Sequence, residues 1–423
     1  MNQKTLTRLF LCLLLVMTSS LTAQKLLVPM DLTQTDHLKA YGLAYWTLDR
    51  GMHVEWLLNY RGGSFLLPWD ENVARQCRIR GIRFIQVSGS EAAGIYAEIE
   101  AGNMDVVLLE KAPNVAVYTP PNKQPWDDAV TLALTYADIP YDTFWDEGVL
   151  RGRLDQYDWL HLHHEDFTGQ YGKFYGTYRN ASWYIEQQQA FEAEARRLGF
   201  QKVSRLKLAV AETIKNYVIR GGFLFAMCSA TDSYDIALAA SKTDICDTVF
   251  DGDPVDSGYR EKLDYNPCFA FENFTLIVHP DIYEYSDIDI TPRDGSRPSS
   301  GANDYFTLFE FSAKYDVVPT MLTQNHVSVI HNFMGQTTGF KKSLIKKSVV
   351  IMAEKEGQDE VKYIHGNIGK GTFTFLGGHD PEDYQHFVGD PPTDLALHKN
   401  SPGYRLILNN ILFPAAKKKK QKT

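Results

Sequence analysis

The chain has 423 residues, of which 44% are hydrophobic, 22% charged and 13% aromatic, so a wholly disordered or fibrous protein is excluded. Its formal net charge of -9 does not favour nucleic acid as a partner of the whole surface. The length suits two or three packed units rather than one minimal core.

Residues 1–23 have the features of a secretory signal peptide. Lys4 and Arg8 supply the positive charge, residues 9–17 form an apolar run too short to span a bilayer, and small residues that end at Ala23 provide a cleavage site. No later stretch of the sequence is apolar and long enough for a transmembrane helix. We therefore expect a mature chain that is periplasmic or secreted.

The composition divides the mature chain into four parts. We expect an N-terminal βαβ unit over 24–112, an α/β core over 113–245, a β-rich part over 246–413 that completes the core, and a basic tail over 414–423. The lysines of the tail are either a solvated terminus or an electrostatic tether to anionic surfaces. Four cysteines remain after residue 23, and in an oxidising compartment they could form two disulfides whose pairing the sequence does not determine: Cys77, Cys228, Cys246 and Cys268.

Short apolar strands alternate with helices along the first half of the chain. The predicted strands are 25–29, 53–58, 115–118, 141–144, 159–162 and 223–227, and the predicted helices are 36–50, 126–137, 181–198, 204–220 and 232–240. This alternation predicts an α/β fold with a doubly wound, mostly parallel sheet. Further strands at 269–278, 305–311, 349–352, 361–365 and 372–376, followed by a helix at 401–412, predict a β-rich C-terminal elaboration.

The most informative motif ends the strand at 223–227. The strand runs directly into Cys228, small residues follow, and a helix then begins, which is the pattern of a nucleophile elbow. A helix N-terminus lowers the pKa of a thiol and can donate amides to an oxyanion, so we expect Cys228 to be a nucleophile. A buried structural cysteine is the alternative. Ala226 and Ala230 stand where an elbow usually has glycine, which weakens the motif.

A thiol nucleophile needs a base, and His379 follows the strand at 372–376. Asp380 and Glu382 come directly after it and could orient the imidazole in a Cys-His-acid arrangement. The alternative is a loop histidine beside a helix-capping aspartate.

A second constellation follows the strand at 159–162. His161 and His163 share one face of that strand, and His164, Glu165 and Asp166 continue into the loop. We expect residues 163–166 to contact a substrate. Binding of a divalent metal is an alternative that would need partners such as His379 or Asp36. Asp31 and Asp36 follow the first strand and are either a polar rim of the same pocket or helix-capping residues.

The cysteine elbow, followed far downstream by a strand and a His-Asp-Pro-Glu run, resembles the class I glutamine amidotransferase-like fold. In that family a glutamate lies two residues after the histidine, whereas here one residue is inserted. The resemblance implies a Cys-His-acid site in which either Glu382 or Asp380 fills the acid role. It covers roughly residues 115–382, with large insertions.

Over nearly its whole length the chain also resembles a family of exported bacterial proteins often labelled asparagine synthetase B. The likeness is carried by residues 29–42, 161–172 and 377–384. Asparagine synthetases themselves have a cysteine just after the initiator Met, where this chain has Asn2, and a glycine-containing pyrophosphate loop, to which residues 229–233 correspond only poorly. ATP-dependent asparagine synthesis is therefore not expected.

No phosphate-loop spacing and no dinucleotide-binding glycine motif occur, so we expect no cofactor. The sequence leaves three hypotheses. The first is a Cys-dependent amide hydrolase, the second is a non-catalytic protein that binds a small molecule, peptide or glycan, and the third is a metal-dependent hydrolase centred on His161, His163 and Asp166.

Overall fold

The computed structural model describes residues 24–121, 127–290, 304–384 and 387–416. The predicted signal peptide and the lysines of the basic tail lie outside these ranges. None of the helices within them combines the length and the apolar character that crossing a lipid bilayer requires. All four cysteines in these ranges are buried free thiols.

The first part of the chain forms a five-stranded antiparallel sheet with the order β4-β1-β3-β2-β5. Its strands are β1 (Lys25–Val28), β2 (Val54–Leu58), β3 (Ser64–Pro68), β4 (Ile85–Val87) and β5 (Asp105–Leu109), and its helices are α1 (His37–Asp49), α2 (Glu71–Arg80) and α3 (Gly89–Ala101). The parallel sheet predicted for this part is wrong. The expected βαβ unit joins β1 directly to β2, whereas β3, which the sequence did not predict, lies between them and pairs antiparallel with both.

The second part forms a mixed sheet with the order β11-β10-β13-β14-β15-β9-β8-β6-β7, with β12 paired to β14. Its strands are β6 (Val115–Tyr118), β7 (Asp142–Phe144), β8 (Trp159–Leu162), β9 (Phe223–Met227), β10 (Tyr305–Leu308), β11 (Val329–His331), β12 (Phe340–Lys341), β13 (Val350–Glu354), β14 (Glu360–Ile368) and β15 (Gly371–Leu376). The five neighbours β7, β6, β8, β9 and β15 are parallel. The remaining strands pair antiparallel and extend the sheet from β15.

The helices of this second part are α4 (Ala129–Tyr136), α5 (Asp146–Leu150), α6 (Tyr175–Tyr178), α7 (Ser182–Arg197), α8 (Val203–Arg220), α9 (Ala230–Ala239), α10 (Thr248–Asp251), α11 (Val317–Leu322) and α12 (Pro402–Leu412). Capping explains several boundaries. Ser401 accepts a hydrogen bond from the Tyr404 amide at the start of α12, and Gly221, with a φ of 127°, ends α8.

The α/β prediction and the parallel core are therefore confirmed. The C-terminal strands predicted at 305–311, 349–352, 361–365 and 372–376 are also present, and their boundaries differ from the predicted ones by at most a few residues. The strand predicted at 269–278 is wrong. That segment forms only isolated bridges, Phe271 with Ile345 and Leu276 with Ser286. Its backbone is used instead to cap a buried charge, since the amides of residues 269–271 donate to the carboxylate of Asp235.

Apolar side chains hold the two sheets together through a shared layer of helices. One core contains Trp56 and Phe65 of the first sheet, Trp159 and Phe225 of the second sheet, and residues of α1, α4 and α12 between them. A second core packs the opposite face of the second sheet against α7, α8 and α9, and a third packs α3 on the outside of the first sheet. Because the parallel strands are covered on both faces, the loops at their ends are where polar groups gather.

Candidate functional site

Three candidate residues meet at the carboxyl edge of the parallel strands. His163 directly follows β8, Cys228 directly follows β9, and His379 lies three residues beyond the end of β15. Since β9 lies between β8 and β15, the two imidazoles come from opposite sides of the cysteine strand. Their ring centroids are 4.3 Å apart, and all three side chains are buried. The structure therefore brings the two imidazoles together, on either side of the strand that ends at Cys228.

Cys228 has the backbone conformation of a sharp turn. Its φ of 51° lies in the left-handed region, which is costly for a residue with a Cβ, and α9 begins two residues later. The Sγ atom accepts a hydrogen bond from the backbone N–H of Gln336 at 3.3 Å, and the amides of Thr337 and Ser229 also stabilise the thiolate. The strained turn thus points the sulfur at a group of backbone donors.

The thiol is nevertheless neutral in the resting protein. Burial raises the pKa of Cys228 to about 11, although the amides of Gln336, Thr337 and Ser229 act in the opposite direction. The expectation that the helix N-terminus lowers this pKa is wrong, because the desolvation of a thiolate that is only 2% exposed outweighs the amide dipoles. A base must remove the proton when the thiol reacts.

The loop at residues 334–338 ties the end of β15 to the cysteine. The His379 amide donates to the Met334 carbonyl at 2.8 Å, while Gln336, two residues along, donates to the sulfur. Gly378, which precedes His379, has a φ of 90°, and a Cβ there would lie 2.5 Å from the Phe333 ring. This loop was not predicted from the sequence, although its run of Gly, Gln and Thr is a signal of irregular backbone.

Asp128 is the carboxylate that the structure places beside the imidazoles. Its Oδ2 atom lies 3.2 Å from Nε2 of His161, and its Oδ1 atom lies 3.5 Å from Nδ1 of His163. Burial acts to raise the pKa of Asp128, but the charges and hydrogen bonds of the two histidines hold it well below its ordinary value. Asp128 also caps α4 by accepting from the Thr131 amide at 2.9 Å, which fixes the carboxylate in place.

Asp128 was not among the predicted site residues, because a helix that begins at residue 126 would place this side chain inside its first turn. The helix begins at Ala129, so Asp128 is its N-cap and lies in the loop that follows β6. An aspartate between a parallel strand and a helix was the available signal.

Asp380 and Glu382, predicted to orient His379, have local partners. Asp380 accepts hydrogen bonds from the amides of Glu382 and Asp383, and Glu382 lies 2.9 Å from Nδ1 of His398. An orienting role for either residue stays a prediction, while Asp128 reaches the same imidazole cluster through His163.

The loop at 164–166 lines a narrow cavity with a volume of about 20 Å³, which is room for about one water molecule. His164, Glu165 and Asp166 form one side of it, and the rest is largely aromatic, with Trp145, Tyr171, Phe174 and Phe191. Burial is the main cause that raises the pKa of Glu165 to about 8, and the charge of Asp128 adds to it. Glu165 is therefore largely protonated near neutral pH and can donate a hydrogen bond to a ligand.

Within this loop Asp166 has a structural role as well. Its carboxylate accepts hydrogen bonds from the amides of Thr168 and Gly172, which closes the turn that forms the cavity wall. The carbonyl of Gly172 accepts from the side chain of Gln336 at 2.6 Å, so the cavity wall is linked to the loop that contacts Cys228.

The structure does not bring Asp31 and Asp36 to the imidazoles. Asp31 forms an ion pair with Arg61 at 2.7 Å, and Asp36 caps α1 and accepts from the Tyr136 hydroxyl. Tyr136 is the last residue of α4, whereas Asp128 caps its first turn, so the two carboxylates contact opposite ends of this helix. Helix capping, the alternative reading, describes Asp36.

Two groups of side chains at this edge have the proximity that metal coordination needs. In the first, ligand atoms of His163, His164 and His379 lie within 4.8 Å of one another, and in the second the same holds for Asp128, His161 and His163. The metal site predicted with Asp166 as a ligand does not match either group.

The comparisons with known proteins do not indicate a reaction or a ligand for this chain. No family model matches the sequence, and no curated protein matches it. Among solved structures, the cytoplasmic protein STM3548 from Salmonella typhimurium is 11% identical over 72% of this chain and 100% of its own, with a TM-score of 0.34. The cytoplasmic protein STM1381 from Salmonella typhimurium LT2 is 13% identical over the same shares, with a TM-score of 0.35. The GH42 β-galactosidase Gan42B from G. stearothermophilus is 10% identical over 64% of this chain and 28% of its own, with a TM-score of 0.26.

Proposed function

We propose that the protein is an exported hydrolase of the class I glutamine amidotransferase-like type, in which Cys228 attacks the carbonyl carbon of a small amide or ester. One observation carries the proposal. Cys228 stands in a strained turn at the end of the parallel strand β9, with backbone amides directed at its sulfur. The energetic cost of a left-handed non-glycine residue is of the order of 1–3 kcal/mol, and such strain is concentrated at functional sites.

The imidazoles supply the base. His379 takes the thiol proton as the sulfur forms a bond to the carbonyl carbon, and the amide of Ser229 or Gln336 stabilises the developing oxyanion. The carbon–nitrogen or carbon–oxygen bond then breaks, and the leaving group takes the proton from His379. Water, deprotonated by the same imidazole, attacks the thioester and releases the carboxylic acid and the free thiol.

Asp128 holds the imidazole rings of His163 and His379 in their relative orientation. It bonds His163, whose ring packs against that of His379, so the negative charge stabilises a cationic imidazole formed during the reaction. The glutamine amidotransferase-like family places the orienting acid after the histidine. Here Asp128 would share or replace that role, in keeping with the inserted residue between His379 and Glu382.

The substrate is expected to be small and partly apolar. The cavity beside His164 is walled mainly by aromatic rings, which would have to move apart to widen its volume of about 20 Å³ for a substrate, and protonated Glu165 offers one donor for a carbonyl or amide. Residues 1–23 support export, where ATP is scarce, so hydrolysis fits better than ATP-dependent synthesis, whatever activity the asparagine synthetase B label implies.

The test is hydrolysis of a panel of activated amides and esters by the parent protein and by Cys228→Ala. Cys246→Ala is the matched control, because Cys246 is another fully buried free thiol. We expect Cys228→Ala to abolish turnover and the control to retain it. Equal hydrolysis rates in all three proteins would exclude Cys228 as the nucleophile. Ligand binding without turnover, unchanged by Cys228→Ser, would favour the binding-protein hypothesis.

A further inference from the structure

We propose that His163, His164 and His379 form a site for a divalent transition metal, and that Zn²⁺ suits it best. One ligand atom of each histidine lies within 4.8 Å of those of the other two. In a tetrahedral site with zinc–nitrogen bonds of about 2.0–2.1 Å, neighbouring nitrogens are about 3.3 Å apart. Side-chain shifts of about 1.5 Å or less would therefore close the site around an ion.

The donor set selects the class of metal. All three groups are imidazoles, which favour Zn²⁺, Co²⁺, Ni²⁺ or Cu²⁺ over Mg²⁺ and Ca²⁺, since the latter prefer oxygen ligands. Three protein ligands also leave a fourth position for water or substrate, as in catalytic rather than structural zinc sites. The site is at the edge of the sheet, with His164 lining the cavity described above.

Asp128 provides the outer support that such a site requires. Zinc-bound histidines commonly direct their second ring nitrogen at a carboxylate, which fixes the ring and increases its basicity. Asp128 lies 3.5 Å from Nδ1 of His163, so Nε2 is the atom that would coordinate the ion. The helix cap to Thr131 keeps the carboxylate in that position.

The neighbouring group of Asp128, His161 and His163 is the competing location. We favour the three histidines because Asp128 can then keep its contacts with His161 and His163, whereas in the neighbouring group it would have to turn from them to the ion. A metal bound through Nε2 of His161 would displace its contact with Asp128, while Nδ1 could keep its contact with the Phe225 carbonyl. The experiment below separates the two locations.

Metal binding does not depend on the thiol chemistry proposed above. An ion bound to His379 would, however, occupy the nitrogen that serves as the base, so metal loading and thiol-dependent hydrolysis would exclude one another. Binding is therefore measured directly, and Cys228→Ala is included so that failure of the nucleophile and failure of the metal site can be told apart.

The test is a titration of the full-length, metal-free protein with Co²⁺ alone, followed by visible absorption and by elemental analysis of the Zn²⁺ form. We expect one ion per chain, the intense bands of tetrahedral cobalt, no thiolate-to-cobalt charge-transfer band, and the same spectrum for Cys228→Ala. The affinity for Co²⁺ should fall at least about 100-fold in His164→Gln and His379→Gln. It should change little in His161→Gln and in the half-exposed control His398→Gln.

Absence of saturable binding by the parent protein would overturn the proposal, as would an octahedral or thiolate-containing cobalt spectrum. Loss of binding in His161→Gln together with its retention in His164→Gln would also overturn it and would place the ion in the neighbouring group. The parent spectrum keeps the test decisive even where a variant fails to fold.

Discussion

The protonation state of Cys228 gives a quantitative prediction for its reactivity. Burial raises the pKa of this thiol to about 11, whereas an ordinary cysteine titrates near 8.5. At pH 7.5 the thiolate fraction is then about 300-fold lower than that of an ordinary thiol, because each pKa unit above the pH costs a factor of ten. Alkylation of the free protein should therefore be at least about 300-fold slower than that of a small-molecule thiol.

The assay is the rate of iodoacetamide labelling of Cys228 between pH 6 and pH 10, followed by peptide mass spectrometry, with Cys228→Ala to identify the labelled peptide. The rate should rise about tenfold per pH unit with no plateau below pH 9. His379→Ala should leave this profile unchanged, because the proton moves to the imidazole only during reaction with a substrate. A plateau below pH 8.5 that disappears in His379→Ala would refute this reasoning and establish a preformed thiolate–imidazolium pair.

Three further predictions follow from individual residues. Asp128→Asn keeps an N-cap but loses the negative charge, so kcat should fall about 100-fold or more, whereas Asp36→Asn at the cap of α1 should leave kcat unchanged. Burial lowers the pKa of His365 to about 3 from an unfolded value near 6.5, so the unfolded chain binds more protons. The contribution of His365 to the free energy of unfolding is complete above pH 6.5 and is lost as the pH falls towards 3. At pH 5 the loss is about 2 kcal/mol, and urea unfolding should show it as a pH-dependent difference between the parent and His365→Gln. Gly378→Ala should destabilise the protein by more than Gly357→Ala, since both have positive φ but only Gly378 would place its Cβ against a neighbour, and a smaller effect at Gly378 in thermal unfolding would contradict the described packing.

The sequence predicted the residues whose position depends on local pattern. Cys228, His163 and His379 each follow an apolar strand, and because those strands are parallel their ends meet at one edge of the sheet. The parallel direction places these ends at one edge, and the neighbour order, which the sequence did not predict, places β9 between β8 and β15.

What the sequence could not predict depends on contacts between distant segments. Asp128 joins His161 and His163 across more than thirty positions, and a helix start displaced by three residues was enough to hide it. The rise in the pKa of Cys228 comes from burial by chain far from residue 228, which a local motif does not contain. The antiparallel pairing of β1–β5 was missed for the same reason, because strand direction is decided by partners and not by the apolar run itself.

A covalent intermediate on Cys228 is the most direct test of the proposed chemistry. The full-length protein would be mixed with an activated ester, quenched in acid within seconds, and mapped by peptide mass spectrometry, with Cys228→Ala and Cys246→Ala treated in parallel. We predict an acyl group on the peptide that contains residue 228 in the parent and in Cys246→Ala, and none in Cys228→Ala. Turnover of the ester with no acyl adduct on that peptide, or with the same rate in Cys228→Ala, would contradict the assignment of Cys228 as the nucleophile.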